Sequence, residues 1–428
     1  MSLFISHPLR QTLSDEVHAR PPVPLDTPEQ VSYLAFLHDA GSAERELAHL
    51  AALAGQFGIA PPAPESSHVF LDTGSFRLKW ERHNEFSSYT FFRRLDTAAP
   101  ACSALLDVPA AWRKEIPGQL IVATEIELRT VAEVSPEEVM AKLSPTGTQT
   151  VAARVADGAA WVFTDFQISE GFSRFQVLNA SLTPRQAGRT VQRLLEIETY
   201  RVIALLAFPV AKQVGRLLSR AEDELADLMD IIGGADSVDD ERSVLARLTR
   251  LAAEVERSVA HTTFRFGAAA AYYRLVRQRI DELREMRLAG FPTIGEFMTR
   301  RLTPAIDTCA SIARRQEDLS GRIARNSQLL RTRVDIALQQ QNQELLAQMN
   351  RRARLQLRLQ ETVEGLSVVA ITYYASQLIH YLAKGAKDYI VPLTPELATA
   401  ASIPLIAGLV ALGLRRMRRQ LAAEEGGH

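Results

Sequence analysis

The sequence predicts a cytosolic α+β domain, then long α-helices that form a stalk, and then a C-terminal two-helix transmembrane hairpin. Three observations lead to this fold class. Short runs of alternating apolar and polar residues fill the chain up to residue 182, helical periodicity replaces them from Arg185 onward, and two uncharged runs lie near the carboxyl end. We therefore divide the chain into an α+β domain (1–182), a helical stalk (183–362), a transmembrane hairpin (363–416) and a cytoplasmic tail (417–428).

Within the α+β domain we expect two helices between residues 27 and 57, and an antiparallel-rich sheet after them. Thr27, Pro28 and Gln30 have the pattern of a capping box with proline in the first turn, and apolar residues follow at helical spacing. Short β runs separated by turn residues then continue to about residue 181. A further helix near 135–143, together with the two earlier helices, would cover one face of this sheet.

Long helices are predicted in the stalk, at about 185–232, 239–288 and 293–383. Glycine and proline residues at 233–234 and 290–292 separate them. Pro209 is expected to kink the first helix, and near Pro304 the third helix either kinks or is capped anew by Thr303. From residue 323 onward, leucine and valine recur as an apolar seam with imperfect heptad spacing, and this seam leads into the first uncharged run.

The two uncharged runs have the length and composition of membrane-spanning helices. GLSVVAITYYASQLIHYLA covers residues 365–383, and at about 1.5 Å per residue it is close to the hydrocarbon thickness of a bilayer. ATAASIPLIAGLVALGL covers residues 398–414, and its glycine and proline residues are tolerated in membranes. The alternative is a buried helical hairpin in a soluble domain, because the first run contains two tyrosines, a glutamine and a histidine.

Arginine clusters flank both runs and predict the orientation of the hairpin. Positively charged flanks tend to stay on the cytoplasmic side of a membrane. Both termini are therefore expected in the cytoplasm of a bacterial inner membrane, with the lipid bilayer as a partner. The flanking residues are Arg351, Arg352, Arg354 and Arg358 before the first run, and Arg415, Arg416, Arg418 and Arg419 after the second.

Composition and motifs exclude several classes of function. The 49 basic and 50 acidic residues give a net charge of -1, so we expect no general attraction to nucleic acid. Cys102 and Cys309 lie outside any CxxC pattern, which leaves no disulfide framework and no zinc signature. No GxSxG, HExxH, Walker A or GxGxxG pattern occurs, so neither an enzyme nor a bound organic cofactor is expected. The first residues, MSLFISHPLRQ, lack the apolar core of a secretory signal.

Three stretches of the sequence carry a family resemblance. HPLRQTLSDEVHARPP (7–22), FRLKWERHNEFSSYTFFR (76–93) and LQETVEGLSVVAITYY (359–374) resemble the bacterial family catalogued as domain of unknown function 3422. The resemblance spans nearly the whole chain and implies a membrane-anchored protein, but it assigns no catalytic residue. More coarsely, the predicted domain order is similar to that of the CorA-type divalent-cation channels. The Gly-Met-Asn signature that follows their first span has no counterpart in LAKGAKDYIVP (382–392).

The second of these stretches contains candidate metal ligands. If it is a strand, Glu81, His83 and Glu85 point to one face and could hold a divalent cation. The alternative is a solvated, charged strand face whose carboxylates are neutralised by nearby arginines. The same stretch offers aromatic and basic side chains that could bind a protein partner whose identity the sequence does not reveal; these candidates are Trp80, Arg82, Phe86 and Tyr89.

The first uncharged run carries a polar stripe. It consists of Tyr373, Gln377, His380, Tyr381 and Lys384. Because an unsatisfied polar group is costly in lipid, the stripe must face protein or water, which predicts association of several copies into a homo-oligomer. The stripe either lines a path for ions or forms packing contacts and interface anchors. Two functions follow: an oligomeric CorA-like ion channel or transporter, or a membrane-anchored scaffold or sensor without transport.

Overall fold

The computed structural model describes residues 7–11, 13–14, 21–38, 41–96, 102–143, 150–233, 237–385 and 394–425. The chain divides into two compact units. Unit 1 comprises Met1–Asp236 and Ser243–Gln328, and unit 2 comprises Ser237–Arg242 and Leu329–His428. The predicted boundary near residue 182 thus falls inside unit 1.

Among the described residues, one nine-stranded sheet has the order β2-β3-β4-β1-β5-β8-β7-β6-β9. Neighbouring strands are antiparallel except for the parallel pair β5 and β8, so the predicted antiparallel-rich sheet is confirmed. The strands are β1 (Glu29–Leu37), β2 (His68–Asp72), β3 (Arg77–Arg82), β4 (Phe86–Arg94), β5 (Gln119–Thr130), β6 (Val151–Val155), β7 (Ala160–Ser169), β8 (Phe172–Asn179) and β9 (Met286–Arg287).

Strand β1 corrects the prediction of a first helix after residue 27. It pairs with β4 on one side and β5 on the other, near the middle of the sheet. Its first seven residues are all buried, because both faces of the sheet are covered. A strand that is buried on both faces loses the alternation of polar and apolar residues, and its apolar run then resembles a buried helix. The second predicted helix of this region is present at Ser42–Gln56.

The helices follow the predicted order with additional breaks. The helix predicted at 293–383 is divided near Leu302, at the point where Thr303 begins a new helix. The helix predicted at 185–232 is divided at Leu206, close to Pro209. The helices are α1 (Ser42–Gln56), α2 (Ala110–Lys114), α3 (Pro136–Leu143), α4 (Pro184–Leu205), α5 (Ala207–Gly233), α6 (Val238–Leu283), α7 (Ile294–Arg301), α8 (Thr303–Gly385) and α9 (Pro395–Glu425), and a short 3-10 helix lies at Ala104–Asp107.

Helix α4 begins at the boundary that the sequence predicts. Thr183 caps it: the Thr183 side chain accepts a hydrogen bond from the Gln186 backbone N–H, and the Gln186 side chain accepts one from the Thr183 N–H. Pro184 in the first turn has no N–H to leave unsatisfied. This reciprocal cap fixes where the chain leaves the sheet and starts the helix that covers it.

Unit 1 packs helices on both faces of the sheet. One face shares a hydrophobic core with helices α4 and α6, in which Ile126 and Val177 of the sheet join Val191 and Val276 of the helices. The other face packs against α1 and α2 in a second core, and α3 lies over a third, smaller cluster. Because α4 and α6 complete the larger core, the sheet and these helices stabilise each other within one unit.

Candidate functional site

A cavity of about 260 Å³ lies between the sheet and helix α4, inside unit 1. The second stretch that carries the family resemblance builds much of its wall. Seven of its residues line the cavity at alternate positions of the β3–β4 hairpin: Lys79, Glu81, His83, Phe86, Ser88, Thr90 and Phe92. Alternate residues of a strand point to the same face, so this sequence pattern places polar side chains under α4 instead of continuing the apolar core.

The strand register sets the polar side chains of the sheet side by side. Lys79 is opposite Thr90, and Thr90 is opposite Tyr33, so these three side chains form a row across β3, β4 and β1. Glu81 is opposite Ser88 in the next row. Directly opposite residues have Cβ atoms about 4.5–5.5 Å apart. The sheet therefore presents an ammonium, a carboxylate and several hydroxyl groups within one small area.

Lys79 and Glu81 form a buried ion pair in this wall. The Lys79 Nζ lies 2.9 Å from Glu81 Oε1, and the two side chains are only 9% and 11% exposed. Removing two charges from water is costly, and their attraction offsets that cost only when the geometry is good. An apolar pair at these two positions would carry no such cost. The presence of two buried charges therefore favours the interpretation that this wall binds polar ligands.

Helix α4 supplies the opposite wall with a second ion pair. Glu196 of α4 accepts a hydrogen bond from the Arg279 guanidinium of α6, and both residues line the cavity. The hydroxyls of Thr199 and Tyr33 are hydrogen-bonded at 2.9 Å and link the helix to the sheet. Tyr200 completes this wall. The sheet wall and the helix wall of the cavity therefore each carry one ion pair.

The cavity disfavours ionisation of both of its tyrosines. Burial raises the pKa of Tyr33 well above its usual value, and the negative charges of Glu81 and Glu196 raise it further. Burial likewise raises the pKa of Tyr200, and the negative charge of Glu196 raises it further. The carboxylates of both walls therefore act on the same phenols. Both phenols remain neutral hydrogen-bond donors at physiological pH.

Gly188 allows the close approach of α4 to the segment that precedes β1. A Cβ at Gly188 would lie 1.9 Å from the Val23 carbonyl oxygen, which is far inside van der Waals contact. Gly188 and Val23 both line the cavity. The segment is also held by the Leu25 N–H, which donates to the Pro184 carbonyl at 3.0 Å. The absence of a side chain at residue 188 therefore sets the width of the cavity at this end.

The three candidate metal ligands are not brought into one ligand set. Strand β3 ends at Arg82, so the alternation on which the prediction depended does not continue to Glu85. Glu81 pairs with Lys79, His83 stacks on Phe86 with ring centroids 4.3 Å apart, and Glu85 forms an ion pair of 2.8 Å with Arg265. Within the part of the chain that the structure describes, no group of three or more histidine, cysteine, aspartate or glutamate side chains could hold a metal ion.

The four candidate partner-binding residues need a correction. Trp80, Phe86 and Tyr89 are 0–1% exposed and belong to the cores of unit 1, because the sheet is covered on both faces. Arg82 is half-buried and forms an ion pair of 2.9 Å with Glu46 of α1. These four side chains stabilise unit 1 and do not form an exposed binding surface.

Local sequence patterns do not predict the cavity, although they mark several side chains of its sheet wall. Glu81, His83 and Phe86 were singled out, although for other roles. Tyr33 was placed in a helix, and Glu196 and Arg279 lie 83 residues apart, so no local pattern joins them. A polar face at i, i+4 and i+8 on α4, formed by Gln192, Glu196 and Tyr200, was the available signal.

Unit 2 carries a different feature, which is a large exposed apolar surface. In α9, Leu405 and Leu409 are 67% and 63% exposed, and in α8, Leu366 and Val369 are 74% and 70% exposed. Further exposed apolar side chains on these two helices are Ile371, Leu378, Leu382, Leu397, Ile403 and Leu412. Monomeric soluble proteins seldom leave so much contiguous apolar surface in water.

Two helical stretches of the described residues are long and apolar enough to cross a membrane. Pro184–Gly233 comprises α4 and α5, and 33% of its apolar window is buried inside the protein, as expected for helices that cover a sheet. Pro395–Arg416 belongs to α9, and none of its window is buried. The predicted first span at 365–383 is helical but is not one of these two stretches, because its tyrosines, Gln377 and His380 lower its hydropathy.

The polar stripe in α8 is only partly exposed. Tyr373, Tyr381 and Lys384 are exposed, whereas Gln377 and His380 are half-buried. The His380 Nδ1 lies 3.0 Å from the Thr399 Oγ1 of α9, which gives one polar contact between the two helices. The most deeply buried polar residues of this segment are Thr372 and Ser376, on the face adjacent to the stripe. Some of the polar side chains of this segment are therefore buried or hydrogen-bonded inside unit 2.

Comparison with known proteins identifies a family and no activity. No curated protein matches the chain significantly, and no solved structure does. A family described as "Protein of unknown function (DUF3422)" matches residues 5–421, which is nearly the entire chain. The stretches that build the cavity wall and the apolar helices lie within that match. The chain therefore belongs to the DUF3422 family of proteins of unknown function.

Proposed function

We propose that the protein is a membrane-anchored sensor, whose unit 2 inserts apolar helices into a bilayer and whose unit 1 binds a ligand in the cytoplasm. The observation that carries this proposal is the apolar window of Pro395–Arg416, none of which is buried inside the protein. Its length matches the hydrocarbon thickness of a bilayer, and lipid is the solvent in which such a helix is stable.

The flanking charges support insertion and suggest its direction. Arg415 and Arg416 are exposed at the end of the apolar part of α9, and Arg351, Arg352 and Arg354 are exposed before the apolar part of α8. Arginine at the ends of a span extends toward the lipid headgroups and favours the cytoplasmic side. We therefore place unit 2 as a two-helix hairpin in the inner membrane, with both termini in the cytoplasm.

Association of several copies is part of the proposal. Before its membrane part, α8 exposes a series of apolar side chains at intervals that suit contact with another helix. A second copy of this chain would cover them in a homo-oligomer. The exposed residues include Leu345, Leu346, Met349, Leu355, Leu359 and Val363.

A CorA-like channel is the alternative function, and the polar stripe of α8 favours it. In that case Tyr373, Gln377 and His380 from several copies would line a path for cations. The His380–Thr399 contact weakens this alternative, because it occupies one stripe residue within a single chain. The polar cavity of unit 1 supports ligand binding, so we favour the sensor.

Vesicle flotation tests the anchor. The full-length protein should float with phosphatidylethanolamine–phosphatidylglycerol vesicles and resist extraction by alkaline carbonate. The variant L405R/L409R should float less, because each arginine near the centre of a span costs about 2.5–3.5 kcal/mol. L106R is the matched control, since Leu106 is also 64% exposed but lies in unit 1. A wild-type protein that stays soluble without detergent and does not float would contradict the proposal.

Ion flux separates the two functions. Proteoliposomes that contain the purified oligomer should show no flux of Mg²⁺, Ni²⁺, Co²⁺, Zn²⁺ or K⁺ if the protein is a sensor. A cation flux that Q377L abolishes would instead support the channel, because Gln377 belongs to the stripe.

A further inference from the structure

We propose that the cavity of unit 1 binds a small zwitterion of amino-acid size, with one carboxylate and one ammonium group. The inference deepens the proposed function, because it rests on unit 1 being the ligand-binding part of the sensor and names the class of ligand. It is carried by the two ion pairs of the cavity, and not by the apolar helices of unit 2.

The charges that line the cavity balance. Lys79 and Arg279 contribute two positive charges, and Glu81 and Glu196 contribute two negative ones. One pair stands on the sheet and the other on the helices, so a charge of each sign is available on both walls. A zwitterion adds no net charge and can pair its carboxylate with a cationic side chain and its ammonium with a carboxylate.

Ligands of other charge fit the cavity less well. A monoanion or a monocation would add one uncompensated charge to a site in which the Lys79–Glu81 ion pair is largely shielded from water. Such a charge is costly in that environment. A polyol could hydrogen-bond the hydroxyls of Tyr33, Thr199 and Ser88. It would form no ion pair in return for displacing water from four charged side chains, so it would bind more weakly.

The size of the cavity limits the ligand further. Sites for drug-sized ligands have volumes of roughly 300–1,000 Å³, and the cavity is smaller, at about 260 Å³. A molecule of amino-acid size therefore fits this volume more closely than a nucleotide or a peptide does. Phe86, Phe92, Val191 and Leu195 supply apolar lining beside the charges, which suits a zwitterion with a short uncharged side chain.

Calorimetric titration and thermal unfolding of the full-length protein in nanodiscs test the ligand class. The probes are glycine, alanine, serine, β-alanine and glycine betaine, each at up to about 10 mM. The matched controls are propionate, ethylamine and glycerol. At least one zwitterion should bind and raise the unfolding temperature, and the controls should not. The inference is overturned if no zwitterion binds, or if propionate, ethylamine or glycerol binds as tightly.

Substitutions locate the site. E196Q keeps the shape of a partly exposed side chain, so this variant should fold and bind the zwitterion about 10-fold or more weakly. S88A leaves both ion pairs intact and provides a second, milder variant with reduced affinity. E222Q is the matched control, because Glu222 pairs with Arg315 elsewhere in unit 1. Equal affinities of E196Q, S88A and E222Q would place the ligand elsewhere and overturn the assignment.

The outcomes distinguish this inference from the membrane proposal. If vesicles fail to capture the protein but the zwitterion still binds, only the anchor is wrong. If the protein floats and no zwitterion binds, the anchor stands and the ligand class is wrong.

Discussion

Lys79 and Glu81 stand on the same face of strand β3 and form an ion pair of 2.9 Å beneath helix α4. Both side chains are nearly removed from solvent, and both line the polar cavity of unit 1. The pair therefore contributes both to the folded structure and to the candidate site. Measuring the free energy of unfolding and the ligand affinity of the same variants distinguishes these two contributions.

The single substitution K79M should destabilise unit 1 strongly. It removes the ammonium that pairs with the buried Glu81 carboxylate, and breaking a buried ion pair typically costs about 3–5 kcal/mol. The double variant K79M/E81Q removes both charges and should recover much of that loss. Urea denaturation followed by tryptophan fluorescence measures the difference, since Trp80 lies between the two residues.

An exposed ion pair provides the control for this comparison. Arg94 and Asp26 of unit 1 lie 2.7 Å apart with side chains that are 73% and 59% exposed. R94Q should change the free energy of unfolding by less than about 1 kcal/mol. If K79M is as mild as R94Q, the Lys79–Glu81 pair is not the buried interaction described above.

G188A should lower the stability of unit 1 far more than an alanine substitution at another helical glycine does. The new Cβ would meet the Val23 carbonyl at 1.9 Å, so either the segment before β1 or helix α4 must shift. G267A is the matched control in helix α6, where a Cβ meets nothing within 4 Å. Thermal melts should show a lower unfolding temperature for G188A and a gain of up to about 1 kcal/mol for G267A. Equal melting temperatures would refute the close approach.

The sequence predicts the periodic elements of this protein well and its long-range contacts poorly. The cap of α4 at Thr183, the helix near 135–143 and the antiparallel hairpins follow from local signals, because caps, turns and periodicity involve neighbouring residues. β1 was missed because both of its faces are buried. The two-residue strand β9 was missed because it pairs with β6, over a hundred residues earlier.

The residues of the candidate site likewise divide into those that local sequence patterns mark and those that only long-range packing brings together. The alternate positions of Glu81 and His83 mark the sheet wall of the cavity, since strand periodicity places them on one face. Arg279 carries no local signal of its place in the cavity wall, because only the packing of α6 and α4 onto the sheet brings it there. The burial of Trp80 and Tyr89 depends on α1 and α2 covering the other face of the sheet.

Acidification should destabilise unit 1 through His49. Burial lowers the pKa of His49 below 6.5, and its Nε2 has no hydrogen-bond partner among the described residues. The unfolded chain therefore takes up a proton near pH 6.5 that the folded chain resists. This contribution to stability is present above pH 6.5 and is lost as the pH falls toward the lower folded pKa.

Replacement of His49 separates it from the other titrating groups. H49Q should flatten the decline of the unfolding temperature between pH 7.5 and pH 5.5, because glutamine does not titrate. H261Q is the control, since His261 is exposed on α6 and hydrogen-bonded to the Arg257 carbonyl. Parallel pH profiles for wild type and H49Q would show that His49 does not contribute.

The arginine flanks predict the topology of the proposed C-terminal hairpin. Alkaline phosphatase fused after residue 388, between the two uncharged runs, should be active, because it would reach the periplasm. The same enzyme fused after residue 428 should be inactive, and green fluorescent protein at that position should fluoresce, because the proposed hairpin would have both ends in the cytoplasm. Replacement of Arg415, Arg416, Arg418 and Arg419 by glutamine should reduce the difference between the two phosphatase fusions, because positive flanks determine orientation. Equal phosphatase activity at residues 388 and 428 of the otherwise native chain would exclude a hairpin.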